Sequence, residues 1–314
     1  MRIVVHGQQA FGKAVLERLL ERGENVVAVC CAPTKEGKPE DPLAEFAREK
    51  GLPLHQPASW KTPEALELMK SFNADVCMMA YVLLFVPEAV RDAPKYGTFQ
   101  YHPSLCPWHR GPSSINWPIA MGKTRTGLSI FWPDDGLDEG PIMLQKTCEI
   151  GPDETIGDVY FNKLFPMGVD AMLEGLDLVK AGVIIKHDQR LDDGSYESWF
   201  KKDIAEIDWS KPVSEVYNVI RAANPAPGAW SRYKGSKFDI FDSSKVDGSG
   251  APGEILSITD DGITIAAGGG AILAKRVRGE DRKKVPAADF AAASGMKAGD
   301  KLDAPEPKKQ AWPQ

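Results

Sequence analysis

The first hundred residues alternate between short apolar runs and amphipathic segments, and this alternation constrains the fold more than any other feature. Residues 2–6 predict a strand, and residues 13–22 carry apolar side chains at helical spacing up to Gly23. Further strands are predicted over 26–31, 52–55, 74–80 and 98–102, with helices over 42–50 and 62–71. Strands that alternate with helices form a parallel sheet covered by helices, so the sequence predicts an α/β fold.

The pattern changes after residue 209. A helix is predicted over 212–223, and short apolar runs then recur at regular spacing, over 236–241, 253–258, 262–267 and 272–277. Short, evenly spaced strands are typical of a small antiparallel barrel. We therefore predict a first domain over 1–190 and a second over 209–303. The polar residues 191–208 are predicted as a linker, and the Pro- and Lys-rich residues 304–314 as a disordered tail.

The composition is that of a soluble globular protein, with 43% hydrophobic and 26% charged residues. The net charge of −6 provides no overall attraction to nucleic acid or to an anionic membrane. The N-terminal apolar run is too short for a signal peptide, and no apolar run reaches the roughly 18 residues that span a bilayer. The five cysteines show no framework spacing, so we expect reduced thiols in a cytoplasmic protein.

Residues 7–14 read GQQAFGKA, which differs at one position from the phosphate-binding pattern G-x-x-x-x-G-K-[ST]. Position 14 is alanine, so the hydroxyl that would hold Mg²⁺ is missing, and we do not predict a nucleotide triphosphatase. The glycines are typical of a tight turn between a strand and a helix.

An imidazole and an amide share one predicted strand. His102 is the last residue of strand 98–102, because Pro103 has no N–H with which to continue the pairing. Side chains alternate between faces along a strand, so Gln100 and His102 point the same way. His102 therefore lies at the carboxyl end of a strand, where open α/β sheets bind their ligands.

A carboxylate follows the next predicted strand. Residues 128–132 are apolar, and the loop after Pro133 contains Asp138 between glycines. An amide, an imidazole and a carboxylate in one crevice suit acyl transfer, because the donors stabilise an oxyanion and the carboxylate moves protons. The alternative is structural, since a histidine beside proline often only packs and an aspartate between glycines often only forms a turn.

The motifs around these residues resemble the folate-dependent formyltransferase family. They are HPSL-x-P-x-x-RG from His102 onward and DDGLDEG from Asp134 onward. The resemblance implies an enzyme that takes formyl from the co-substrate 10-formyltetrahydrofolate in a Rossmann-like parallel-sheet domain. His102 and Asp138 match the family's catalytic histidine and aspartate, while Gln100 stands where the transferases have asparagine. IRAANPAPGAW and PGEIL match the family's OB-like β-barrel C-terminal domain, so the resemblance covers nearly the whole chain.

The resemblance also implies roles for further residues. Those implied in folate binding are Val82, Leu83, Leu84, Asp134, Asp135 and Arg110. In the family, the segment that contains the first three lies along the pterin ring and binds it through backbone groups between apolar walls. Arg110 either meets the glutamate tail of folate or is solvated. Gln8 and Gln9, in the first turn, are implied on the side of the formyl acceptor.

Within the family, GQQAFG and SIFWPDDGLD are most similar to the hydrolase domain of the 10-formyltetrahydrofolate dehydrogenases. That domain has an apolar residue two places before the histidine, so Gln100 matches neither branch. Its amide can donate to an oxyanion, but it is one methylene longer than asparagine, and a displacement of about 1 Å can cost roughly 10²-fold in rate. We expect a small amine or water as acceptor, with no metal ion and no nicotinamide cofactor. Cys106 lies in the same loop, but the family uses no cysteine there.

Two alternatives remain open. A methionyl-tRNA formyltransferase should present a basic face, yet from Ala205 onward the chain has 16 Lys and Arg against 15 Asp and Glu. The one candidate for a basic face is the cluster of Lys275, Arg276, Arg278, Arg282, Lys283 and Lys284. Runs of charge like this one are more often simply solvated surface. We therefore do not favour tRNA as a partner. A non-catalytic folate-binding protein is the second alternative, and the presence of both His102 and Asp138 counts against it. The sequence does not indicate an oligomeric state.

Overall fold

The structure is a computed structural model that describes residues 1–306. Its first strands are β1 (Arg2–Gly7), β2 (Asn25–Cys30), β3 (Leu54–His55), β4 (Val76–Ala80), β5 (Thr98–His102), β6 (Arg125–Phe131) and β7 (Ile142–Glu149). They form one sheet in the order β3-β2-β1-β4-β5-β6-β7. The helices along this stretch are α1 (Gln9–Glu21), α2 (Pro42–Glu49), α3 (Pro63–Ser71), α4 (Glu88–Arg91), α5 (Asn116–Ala120), α6 (Ile156–Val159) and α7 (Phe165–Lys180).

The α/β prediction is confirmed, and the strand predicted over 98–102 is β5. From β3 to β5 all neighbouring strands are parallel, which their long connections allow. The next strand differs, because β6 runs antiparallel to β5, with Phe131 opposite Gln100 and Ser129 opposite His102. The sheet is therefore mixed rather than wholly parallel.

The core of the sheet lies around β1 and β4. Both strands are buried along nearly their whole length, as expected where segments cover both faces. On one face, Val4, Cys77 and Met79 pack with Trp60 and Met69 from the covering segments. Among residues 1–306, no helix is long and apolar enough to cross a bilayer.

The glycines of the first turn are required by packing. A Cβ at Gly7 would lie 2.3 Å from the Ala80 carbonyl oxygen, and one at Gly12 would lie 3.1 Å from Leu43. The N-terminus of α1 is also filled, because the Asp41 carboxylate accepts the Gln9 N–H at 2.7 and 2.9 Å. A carboxylate at this helix N-terminus already occupies the Gln9 donor and would repel a phosphate, which favours the interpretation as a tight turn.

The chain forms two compact units. The first comprises Met1–Gly111, Gly127–Cys148 and Lys163–Tyr196, and the second comprises Pro112–Thr126, Glu149–Asn162 and the chain from Glu197 onward. Later elements, all in the second unit, are α8 (Val213–Ala222), β8 (Ala229–Tyr233), β9 (Ser236–Ile240), β10 (Ser243–Val246), β11 (Ile255–Thr259), β12 (Gly262–Ala267), β13 (Gly270–Ala274), β14 (Arg276–Arg278), β15 (Lys284–Pro286) and α9 (Ala287–Ser294). Their strands form two sheets, β10-β13-β12-β11 and β15-β14-β9-β8, with antiparallel pairs. They make a small barrel-like domain, as predicted.

The predicted linker is packed along much of its length. Within the first unit, the Ser195 N–H donates to the Pro107 carbonyl at 3.0 Å, and within the second, Ile207 donates to Trp230 at 2.9 Å. Phe200 is buried as well. The division of the chain at 190 and 209 stays a prediction. Most of the predicted tail, residues 307–314, lies outside the described residues, while Glu306 forms an ion pair with Arg232.

Substitution of Gly7 by alanine should destabilise the protein. The new Cβ would overlap the Ala80 carbonyl, and overpacking of this kind costs about 1–3 kcal/mol. Chemical denaturation of both proteins would measure the difference in the free energy of unfolding. Gly23→Ala serves as a reference for backbone strain without overlap, because its new Cβ meets nothing beyond its chain neighbours within 4 Å while its left-handed backbone costs about 1–2 kcal/mol. Equal stability of Gly7→Ala and the wild type would contradict the packing explanation.

Candidate active site

The imidazole of His102 is held at both ends. It is buried at the end of β5, with Nδ1 3.6 Å from Asp138 Oδ2 and Nε2 3.3 Å from the His109 carbonyl oxygen. Nε2 donates to that carbonyl when it carries a proton, whereas the Nδ1 contact with the carboxylate is longer than a hydrogen bond. The structure thus brings together the predicted imidazole and the predicted carboxylate, 36 residues apart in sequence (138 − 102).

Asp138 lies in a loop that its surroundings hold in place. Its φ of 57° is in the left-handed region, which non-glycine residues seldom adopt. Its Oδ2 accepts the Gly111 N–H at 2.9 Å, and the Gln189 amide donates to the carbonyls of Asp138 and Gly140 at 3.0 and 2.7 Å. Strained residues of this kind persist where neighbours over-determine them and are frequent in functional sites.

The antiparallel direction of β6 changes how Asp138 reaches His102. Because Phe131 is opposite Gln100, β6 runs away from the carboxyl end of β5, and the loop after it must turn back. The two ends of that loop are joined by a hydrogen bond, in which the backbone N–H of Trp132 donates to the Pro141 carbonyl at 2.9 Å. A Cβ at Gly140 would lie 1.9 Å from the Trp132 carbonyl oxygen, so this position requires glycine.

Gln100 differs from the other polar side chains near His102 in its hydrogen bonding. Its side chain is half-buried on the same face of β5 as His102. Within residues 1–306 its amide has no hydrogen-bond partner. The amide is not among the buried atoms that lack a partner, so solvent reaches it, and a ligand beside His102 would replace that solvent. The assignment of the amide to an oxyanion stays a prediction.

The segment after β4 exposes apolar side chains. It is the segment that the family resemblance assigns to binding of the pterin ring. Val82 and Leu84 pack against the core beneath it, while Leu83 is 59% exposed and Phe85 50% exposed. The segment begins at Tyr81, whose φ of 66° is left-handed. An apolar surface on a backbone of this kind suits a flat heteroaromatic ring.

The acidic loop residues have defined partners. Asp134 accepts the N–H of Gly136 at 2.9 Å, and Asp135 accepts Arg91 Nη2 at 2.9 Å. Arg110 is mostly buried and pairs with Glu139 at 2.6 Å, so its guanidinium is not solvated. Any contact of Arg110 with a folate tail would share that guanidinium with Glu139. The folate roles of these three residues stay predictions.

The two predicted acceptor residues lie at the carboxyl end of β1. Gln8 is buried and donates its backbone N–H to the Ala80 carbonyl at 3.2 Å, whereas Gln9 is exposed. β4 separates β1 from β5 in the sheet, so the structure places Gln8 two strands from His102. Their contact with an acceptor stays a prediction.

Three supporting residues were missed by the sequence reasoning. Gln145 donates its amide to the Cys106 carbonyl and to Ser129 Oγ, at 2.8 and 2.9 Å, and so holds the loop after His102. Gln189 holds the Asp138 loop, and both glutamines line an open groove of about 500 Å³. Arg91 is the third, and its one signal in the sequence was a pair of charged residues, Arg91 and Asp92, between the apolar residues of AVRDAP.

The comparisons with known proteins agree with this fold. A formyl transferase family model matches residues 1–174, and a model of the formyl transferase C-terminal domain matches residues 200–295. The chain therefore belongs to the formyl transferase family of enzymes, which confirms the resemblance drawn from the motifs.

Particular relatives fall into two groups. The chain is 36% identical over 305 residues to the mitochondrial 10-formyltetrahydrofolate dehydrogenase of Mus musculus, covering 92% of this chain and 33% of that protein. It thus spans about a third of that relative's length. It is 34% identical over 306 residues to the methionyl-tRNA formyltransferase of Citrifermentans bemidjiense, covering 95% of both. HypX from Aquifex aeolicus, solved in complex with tetrahydrofolic acid, shares the fold with a TM-score of 0.67 at 19% identity, over 93% of this chain and 47% of that one.

Cys106 should be unreactive in the folded protein. Burial raises the pKa of its thiol from 9.0 to about 11, so the thiolate needed for alkylation is about 100-fold scarcer at neutral pH. We expect Cys106 to be alkylated by iodoacetamide at pH 7.5 much more slowly in the native protein than in denaturant, as followed by peptide mass spectrometry. Because the pKa is raised, labelling should increase as the pH approaches 11. Rapid labelling at pH 7.5 would instead support a reactive thiol in this loop.

Proposed function

We propose that this chain releases the formyl group of 10-formyltetrahydrofolate to a small amine or to water, at the site formed by Gln100, His102 and Asp138. The observation that carries the proposal is the His102 imidazole, held 3.6 Å from the Asp138 carboxylate at the end of β5. The vacant Gln100 amide on the same face of the strand supports it. The matched formyl transferase family and the relatives that use formyltetrahydrofolate supply the reaction class.

The chemistry follows from the properties of the three groups. The acceptor's nitrogen or oxygen attacks the formyl carbon, and the carbonyl oxygen becomes an oxyanion. Gln100 donates a hydrogen bond to that oxyanion, and so does His102, through the Nε2–H that turns from the His109 carbonyl to the substrate. Asp138 takes the proton that the acceptor loses. The bond from the formyl carbon to N10 of folate then breaks, and N10 gains a proton. No electrons are gained or lost overall, so the proposal requires no nicotinamide cofactor. Side chains supply the oxyanion donors and the base, so the proposal assigns no step to a metal ion.

Folate is the proposed co-substrate because the segment of residues 81–86 exposes apolar side chains on a fixed backbone. Such a surface can bury a pterin ring while backbone groups bond its polar edge. The acidic loop 134–140 would form the facing wall. Gln8 and Gln9 remain our proposed acceptor-side residues.

Transfer to methionyl-tRNA is the second candidate, and one observation favours it. The methionyl-tRNA formyltransferase of Citrifermentans bemidjiense matches this chain over 95% of both lengths. Against it, the basic cluster of the second unit is partly neutralised, since Arg278 pairs with Asp239 at 2.7 Å. A non-catalytic folate-binding protein would have no use for the paired His102 and Asp138. We therefore favour a small acceptor or water.

The test is incubation with 10-formyltetrahydrofolate, with and without candidate amines and tRNA, followed by measurement of tetrahydrofolate. We expect release with water or a small amine, and a loss of about 10²–10³-fold in His102→Ala, because one oxyanion donor is worth that much. Asp138→Asn should be similarly inactive, since an amide cannot take the proton. Asparagine tolerates the left-handed backbone of position 138, so this variant should fold.

Two outcomes would contradict the assignment. Full activity of His102→Ala would remove the imidazole from the reaction, and release that depends strictly on tRNA would select the second candidate. A pH–rate profile provides a further check, because the Asp138→Asn variant should lack one ionisation that limits the wild type.

Gln100 distinguishes transfer from hydrolysis. If its amide donates to the oxyanion, Gln100→Leu should lose about 10²-fold in rate and Gln100→Asn should keep or gain acceptor-dependent transfer. The extra methylene costs side-chain entropy when the amide is ordered, roughly 1–2 kcal/mol, which Gln100→Asn would reduce. Rates of formyl release with and without acceptor would be measured for both variants. An unchanged rate of formyl release in Gln100→Leu would exclude the oxyanion role and favour hydrolysis.

A further inference from the structure

We propose that Arg91 is a positioning residue for folate, because its guanidinium joins the apolar segment of residues 81–86 to the acidic loop of residues 134–140. The inference rests on the proposed function, which assigns those two segments to the walls of the folate site. Neither the motifs nor the family match assigns a role to this arginine.

The contacts of Arg91 reach both walls from one buried group. The residue lies in α4 and is 5% exposed. Its Nη1 donates to the Val86 carbonyl at 2.6 Å, and its Nη2 donates to Asp135 Oδ1 at 2.9 Å. Because a guanidinium is planar and rigid, these two bonds set the separation of the two acceptors within narrow limits.

The apolar segment is thereby held at both of its ends. Tyr81 turns the chain out of β4 in a left-handed conformation, and Arg91 binds the carbonyl of Val86 at the far end. Val82 and Leu84 anchor the middle against the core. A segment held in this way loses little conformational entropy when a ligand binds, which increases affinity.

The two partners of the Arg91–Asp135 ion pair differ in exposure, and this difference explains why the pair holds the acidic loop. Asp135 is 68% exposed, whereas the Arg91 side chain is 6% exposed. Within the described part of the chain, Asp135 is the one carboxylate close enough to neutralise Arg91, and Arg91 Nε has no hydrogen-bond partner. Moving the acidic loop away would leave a buried cation unpaired, which is costly. The loop is therefore held against α4.

If the Arg91–Asp135 pair only stabilises the fold, the expected effect on folate affinity is different. In that case breaking the pair lowers stability but leaves folate affinity unchanged. A direct contact between Asp135 and folate is a third possibility, and it predicts that Asp135 acts independently of Arg91. A double-mutant cycle separates the three cases, because residues that act through one another show non-additive effects.

The experiment measures equilibrium binding of tetrahydrofolate to the wild type, Arg91→Lys, Asp135→Asn and the double variant. We expect each single variant to raise the Kd about tenfold, the order expected for one charged hydrogen bond. The double variant should raise it no further. Asp135 is exposed and asparagine has the same shape, so Asp135→Asn should fold normally. This variant therefore tests the inference even if Arg91→Lys folds poorly. Turnover at saturating 10-formyltetrahydrofolate should fall much less than affinity.

Asp177→Asn is the control for an arginine–carboxylate pair outside both walls, since it removes one of the two carboxylates, Asp177 and Glu24, that pair with Arg22. Its Kd should equal that of the wild type. Unchanged Kd values in Arg91→Lys and Asp135→Asn, with wild-type binding intact, would overturn this inference alone, and so would additive effects in the double variant. A wild type that binds no tetrahydrofolate would overturn the proposed function as well.

Discussion

The geometry of the site depends on the antiparallel pairing of β6 with β5. That pairing sends the chain away from the carboxyl end of β5, so residues 133–141 must turn back before Asp138 can face His102. The return requires a glycine at position 140, pressed against the Trp132 carbonyl, and a left-handed backbone at Asp138. A left-handed residue costs about 1–2 kcal/mol, which the hydrogen bonds from Gly111 and Gln189 offset.

Several buried side chains around this loop have fixed partners. Gln189 and Gln145 bind backbone carbonyls of the two loops, and Arg110 and Arg91 bind the carboxylates of Glu139 and Asp135. These bonds tie both loops to the strands and helices beside them. Satisfaction is incomplete, because Arg91 Nε and Gln189 Oε1 are buried without a hydrogen-bond partner in the described part of the chain.

The fold does not by itself name the acceptor. Relatives over comparable lengths include a tRNA formyltransferase, while the dehydrogenases that match at similar identity are about three times as long. One fold can host many functions, because binding residues lie mainly on loops that vary while the sheet stays fixed. Under our proposal, residues around the crevice decide the specificity, and Gln8 and Gln9 of the first turn are among them.

The sequence by itself determined the strand–helix alternation and the strand of residues 98–102, because hydrophobic period and turn residues are local signals. Its motifs singled out His102 and Asp138, but only the tertiary structure placed them 3.6 Å apart. The sequence did not determine that β6 runs antiparallel, since the direction of a strand depends on its neighbours rather than on its own residues. Only the tertiary structure decided that Arg110 is buried beside Glu139 and that Arg91 meets Asp135, because 29 and 44 residues separate the partners in sequence. Contacts between such distant positions arise from packing, and a single sequence carries no local signal for them.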